Sequence, residues 1–127
     1  MFDPFRTAAF ISAVLLMAGV QPAWAHAKLT ASVPEANEMA MPVPTEIRLT
    51  FSDSVDPAIT KIDISVAGPH HEPIAIKDMA PAADDPNVLV VHLRPGKLPD
   101  GLYTVSWKTL CIDGHKGSGS FAYDAMQ

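Results

Sequence analysis

Prolines punctuate this chain so densely that long helices have little room to form. There are twelve in 127 residues, and a proline inside a helix removes one hydrogen bond and clashes with the preceding turn. What is left is short segments joined by turns, and between the prolines the apolar residues recur with the period of a strand. Glu46 to Asp53 alternates cleanly, with Ile47, Leu49 and Phe51 on one face and Arg48, Thr50 and Ser52 on the other. Ile62, Ile64 and Val66 repeat the pattern until Gly68-Pro69 ends it. Val88 to Leu93 is apolar on both faces and reads as a central strand. Leu102 to Leu110 puts Tyr103, Val105 and Trp107 on one face, and Ser120 to Asp124 alternates through Phe121 and Tyr123. Weaker segments are a first strand over Ala27 to Val33, with Leu29 as its core residue, and a short strand around Ile74 and Ile76. Residues 34–44, which hold Met39 and Met41, and residues 80–86 read as loops, and His70 to Pro73 as a turn. The sum is an all-β domain of about seven strands, a two-sheet sandwich or Greek-key barrel. Tyr103, just after the Pro99-Asp100-Gly101 turn, has the position of a tyrosine corner.

Residues 1–25 stand apart from that domain. Arg6 precedes thirteen residues, Ala8 to Val20, in which Ser12 is the one polar side chain, and Ala23-Trp24-Ala25 has the small-x-small form of a secretory cleavage site. Thirteen residues are short of the ~20 that a membrane-spanning helix needs. The reading is a signal peptide, residues 1–25, cleaved after Ala25, followed by a single exported domain, residues 26–127. The net charge of −5 argues against nucleic acid as a partner and is compatible with a cation ligand. A single cysteine excludes an internal disulfide, and a monomer is expected.

Cleavage after Ala25 makes His26 the first residue, and an N-terminal histidine offers a metal two nitrogens, the α-amine and the imidazole. Asp113 and His115 are two apart, so on extended chain they point the same way and add a carboxylate and a second imidazole. Three nitrogens and one oxygen in a plane suit Cu(II) better than zinc, which prefers a tetrahedron, or calcium, which takes oxygens. Taken alone, Asp113-Gly114-His115 is more often a turn with a surface histidine; the histidine at the cleavage site is what makes the metal reading stand out. Whether His26 meets His115 depends on strand pairing that the sequence does not reveal.

His26-Ala-x-Leu, Ser32-x-Pro34, Ile47-x-Leu-Thr-Phe-Ser52, Gly101-Leu-Tyr-Thr-Val-x-Trp107 and Asp113-Gly-His115, with Gly119 and Phe121 after it, resemble the CopC copper-resistance family along essentially the whole of residues 26–127. The resemblance implies a periplasmic β-barrel of immunoglobulin-like topology that is not an enzyme. It implies one Cu(II) per chain, held by His26, Asp113 and His115. It also implies copper buffering, resistance or delivery, with an inner-membrane copper importer or a periplasmic copper enzyme as partner. Some members carry a second, Cu(I) site in a methionine-rich loop; here Met39 and Met41 are a pair and Met79 is isolated, so the chain resembles the Cu(II)-only type.

Two alternatives use the same residues. A histidine-brace copper monooxygenase also coordinates through an N-terminal histidine, but it needs an open coordination position and a flat aromatic docking surface. A blue-copper electron carrier would use Cys111, His115 and Met126, with an upstream histidine; the eleven-residue step from His115 to Met126 is long for it, and Asp113 would have no role. Cys111, where many relatives have serine, reads as a small buried thiol. His70 and His71 point oppositely on extended chain and read as a solvated loop, His92 as a surface or packed histidine, and Trp107 as core.

Overall fold

The computed structural model describes residues 27–68, 71–110 and 116–127. Residues 1–25, which carry the expected signal peptide, together with His26, Pro69, His70 and the 111–115 stretch with Cys111, Asp113 and His115, lie outside the described residues. Among the described residues there are nine strands, β1 (Leu29–Val33), β2 (Met39–Ala40), β3 (Glu46–Phe51), β4 (Thr60–Val66), β5 (Glu72–Pro73), β6 (Ile76–Ala82), β7 (Asp85–Leu93), β8 (Gly101–Leu110) and β9 (Lys116–Ala125), with one 3₁₀ turn at Pro57–Ile59. They form two sheets, of order β1-β3-β7-β6 and β2-β9-β8-β4-β5. Since β2 and β5 have two residues each, seven strands carry the fold. Both sheets keep edges, so this is an open sandwich rather than a closed barrel.

The alternating faces meet between the sheets. Ile47, Leu49 and Phe51 of the first sheet and Ile62, Ile64, Val66, Tyr103, Val105 and Trp107 of the second are all buried. Phe51 meets Trp107 edge-on across the gap, with centroids 5.2 Å apart and rings at 82°, a preferred aromatic geometry. Strand β7, apolar on both faces, is central between β3 and β6. Tyr103 donates its hydroxyl hydrogen bond to the Pro99 carbonyl at 2.6 Å and stacks on Tyr123, so the tyrosine corner is present. Burial raises the Tyr103 phenol to about 12 and pushes that of Tyr123 higher still.

The weaker segments differ from expectation. The expected 80–86 loop is mostly strand: β6 runs through Pro81 to Ala82, and β7 begins at Asp85. Because β6 is an edge strand, Pro81 costs no ladder bond on its open side. The expected strand around Ile74 and Ile76 starts only at Ile76, with Ile74 in the core ahead of it. Strand β1 begins at Leu29, and an irregularity between Leu29 and Ala31 shifts its phase. Leu29 therefore packs at the margin of the core, while Ser32 is buried and satisfied by the Pro34 carbonyl at 2.8 Å. A two-residue strand, β2, interrupts the expected 34–44 loop.

Candidate metal centre

Strands β8 and β9 form the longest hairpin of the second sheet, in register from Gly101↔Ala125 to Leu110↔Lys116. The 111–115 segment joins its two arms at the end where Leu110 pairs with Lys116. Thr109, one residue before that end, is 3% exposed, and its hydroxyl meets that of Thr60 at 2.9 Å. Thr60 in turn donates to the Asp56 carbonyl at 2.8 Å, so Thr109 is the donor to Thr60 and the chain of hydroxyls is satisfied. These bonds tie the hairpin end to β4.

The start of the described chain is anchored at the same end. Ala27 is 2% exposed, and a methyl group built on Gly117 would stand 3.2 Å from the Ala27 carbonyl oxygen. Gly117 is thus a glycine whose missing side chain lets another backbone approach, the usual meaning of glycine inside a strand. On the other side, the Lys28 amide donates to Ser52 Oγ at 2.9 Å, and the Ser52 amide donates to the Lys28 carbonyl at 2.8 Å. Residues 27 and 28 therefore bridge the two sheets, touching β9 on one side and the end of β3 on the other. Gly117 and the Thr60–Thr109 pair were not singled out from sequence, and Ser52 stood only as the end of the Ile47–Ser52 motif. The one signal was Gly117-x-Gly119 inside an otherwise alternating strand.

Of the other histidines, His71 is exposed, with its backbone at a φ of +37°. His92 is exposed on the outer face of β7, where Nδ1 lies 2.6 Å from Asp78 Oδ1 on β6 and Nε2 lies 3.2 Å from Glu46 Oε1 on β3. Arg48 closes on the second Glu46 oxygen at 3.3 Å. The hydrogen bond with Asp78, followed by the charges of both carboxylates, raises the His92 pKa above 6.5. His92 is a surface ion network, as its sequence context suggested. Among the described residues no three His, Cys, Asp or Glu side chains are grouped to hold a metal ion.

Residues 29–125 match the CopC domain. The chain belongs to the CopC family. "Protein YobA" of Escherichia coli strain K12 is 34% identical over 124 residues, covering 97% of this chain and 98% of that protein. "Copper resistance protein C" of Escherichia coli is 28% identical over 120 residues, covering 91% of this chain and 93% of that protein. Among solved structures, PcoC, "a Methionine Rich Copper Resistance Protein from Escherichia coli", superposes with a TM-score of 0.70 at 29% identity, over 79% of this chain and 98% of that one. CopC membership implies copper binding and no catalysis, which sets the monooxygenase reading aside.

Proposed function

We propose that this CopC-family chain is a periplasmic Cu(II) carrier. In this reading it is exported by residues 1–25, cleaved after Ala25, and binds one ion through the His26 α-amine and imidazole with Asp113 and His115. The observation that carries the reading is the seating of Ala27 against Gly117. His26 is one Cα step, about 3.8 Å, from Ala27, and His115 is two steps, at most ~7.6 Å, from Gly117. The two ligand-bearing segments thus flank residues whose backbones lie close enough that a Cβ on Gly117 would stand 3.2 Å from the Ala27 carbonyl oxygen. Binding copper through the amine makes the affinity depend on acid, because that group, with an ordinary pKa of about 7.7–8.0, must lose its proton to bind. The ion is cargo: the protein buffers it or passes it to an inner-membrane importer or a periplasmic copper enzyme.

The test compares two samples by Cu(II) titration with EPR and visible spectra, one beginning at His26 and one with a single extra residue before it. The expected result is one tetragonal Cu(II) bound tightly by the first and much more weakly by the second. Equal binding would remove the amine from the ligand set. An intense blue thiolate band abolished by Cys111→Ser would move the site to the cysteine.

A further inference from the structure

The outer face of the second sheet carries an unbalanced charge at one end. Lys61 of β4 is directly opposite Lys108 of β8, Lys108 is opposite Ser118 of β9, and Leu110 is opposite Lys116. These side chains are exposed and alternate with the buried Thr60, Thr109 and Gly117, so they share the outward face. Three of the nine Lys and Arg residues of a chain with net charge −5 thus gather in one place. Among the described residues none of the three is in an ion pair; the pairs found join Glu46, Arg48, Asp78 and His92 on the other sheet. Like charges directly across a strand pair are destabilising. The acid two residues further along that face of β4, Asp63, is opposite Ser106 rather than either lysine.

The lysines surround an apolar floor. Ile59, at the end of the 3₁₀ turn, and Leu110, at the end of β8, are 44% and 40% exposed. With Lys61, Lys108, Lys116 and Ser118 they line a groove of about 390 Å³, at the end of the β8–β9 hairpin that leads into residues 111–115. Lysine stems cover apolar surface while their ammonium groups stay in water, so the rim is cationic and the floor aliphatic. Such a groove complements carboxylates set around aliphatic side chains. Its width, from β4 across β8 to β9, is about 10 Å at ~4.8 Å per strand. An anionic bilayer presents its charge over a wide plane, which would meet Asp63 and the negative charge of the whole chain as well as the lysines. A short acidic protein segment meets the lysines alone.

We propose that Ile59, Lys61, Lys108, Leu110, Lys116 and Ser118 form a docking groove for an acidic, aliphatic segment of a partner protein. The contact is made by side chains on a sheet face and adds no strand to an edge. It requires neither copper nor His26, Asp113 and His115, so it stands or falls separately from the Cu(II) reading.

The test titrates the metal-free, ¹⁵N-labelled chain from His26 with a short blocked peptide of two leucines flanked by glutamates, and with the same peptide carrying lysines for the glutamates. Saturable amide shifts confined to the groove residues are expected with the acidic peptide only, weakening as salt is raised from ~50 to ~500 mM. Lys61→Glu supplies two opposed readouts. It turns the like-charge pair with Lys108 into an opposite-charge pair, so the urea midpoint should rise, while peptide binding should weaken by about threefold or more. A face with a structural role alone would show the first change without the second. The inference is overturned if no amide moves at millimolar peptide, if the shifts scatter over the surface, if the lysine peptide binds as well, or if Lys61→Glu binds like the parent. Phosphatidylglycerol vesicles are the second probe: flotation with them that Lys61→Glu abolishes, in the absence of peptide shifts, would overturn the protein segment and give the face to a membrane. Because no metal is present, failure of the Cu(II) site would leave the peptide titration intact, and failure of the groove would leave Cu(II) binding intact.

Discussion

Gly119→Ala should destabilise the domain by overpacking the ring that joins its two sheets. Gly119 is directly opposite Trp107 in the β8–β9 register. A Cβ on it would lie 2.8 Å from Trp107 Cζ2, 3.1 Å from Cε2 and 3.2 Å from Nε1. Ordinary contact begins near 3.4 Å, so the indole would have to retreat by about 0.6 Å. It cannot do so freely, because Phe51, 1% exposed, stands edge-on against it from the other sheet. Forcing an extra methyl into such packing costs about 1–3 kcal/mol. At ~2 kcal/mol the melting temperature of a domain this size falls by about 8–16 °C.

Trp107 is the sole tryptophan of residues 26–127, so urea unfolding followed by its fluorescence reads both stability and ring environment. Gly68→Ala is the control, since nothing lies within 4 Å of a Cβ there, and it should stay within about 0.5 kcal/mol of the parent. If Gly119→Ala also stayed within that margin, with an unchanged near-UV signal for Trp107, the indole would be free to slide and the reasoning would fail.

Three further outcomes follow from the hydrogen bonds. Thr60→Val should cost about 1–3 kcal/mol, because it strands the buried Thr109 hydroxyl; Thr109→Val, which leaves Thr60 donating to the Asp56 carbonyl, should cost less, about 0.5–1.5 kcal/mol, and equal losses on urea denaturation would refute the donor assignment. Tyr103→Phe removes the bond to the Pro99 carbonyl and should lose about 0.5–1.5 kcal/mol, measured the same way; an unchanged midpoint would make the corner ornamental. The His92 pKa, read from its ring protons by NMR, should lie above 6.5 and drop in Asp78→Asn. Because the folded value is raised, the stabilisation by Asp78 is complete below pH 6.5 and vanishes as pH climbs through the folded value, so parent and variant should converge in stability at alkaline pH. A gap that widens there would reverse the sign.

Much of this architecture could be read from residue alternation. The faces of Ile47–Leu49–Phe51, Ile62–Ile64–Val66 and Tyr103–Val105–Trp107 are buried as their spacing implies, since a strand exposes every second side chain to the same side. The misreadings came where local chemistry competes with pairing. Pro81 signals a loop, yet an edge strand tolerates it; Leu29 signals a core position, yet a register irregularity shifts it to the margin. His26, Asp113 and His115 remain a reading of motif and family, as they lie outside the described residues.

The sequence by itself determined the all-β class, the strand faces and the tyrosine corner, because these depend on local periodicity and composition. Only the tertiary structure decided that Ala27 lies close to Gly117 and that β2 pairs with the far end of β9, 85 residues away in the chain, Met39 with Asp124 and Ala40 with Ala125. Alternation tells each residue which side of its strand to face. It carries no information about which strand lies alongside, because that neighbour is selected by non-local pairing and by the shared core that the pairing closes.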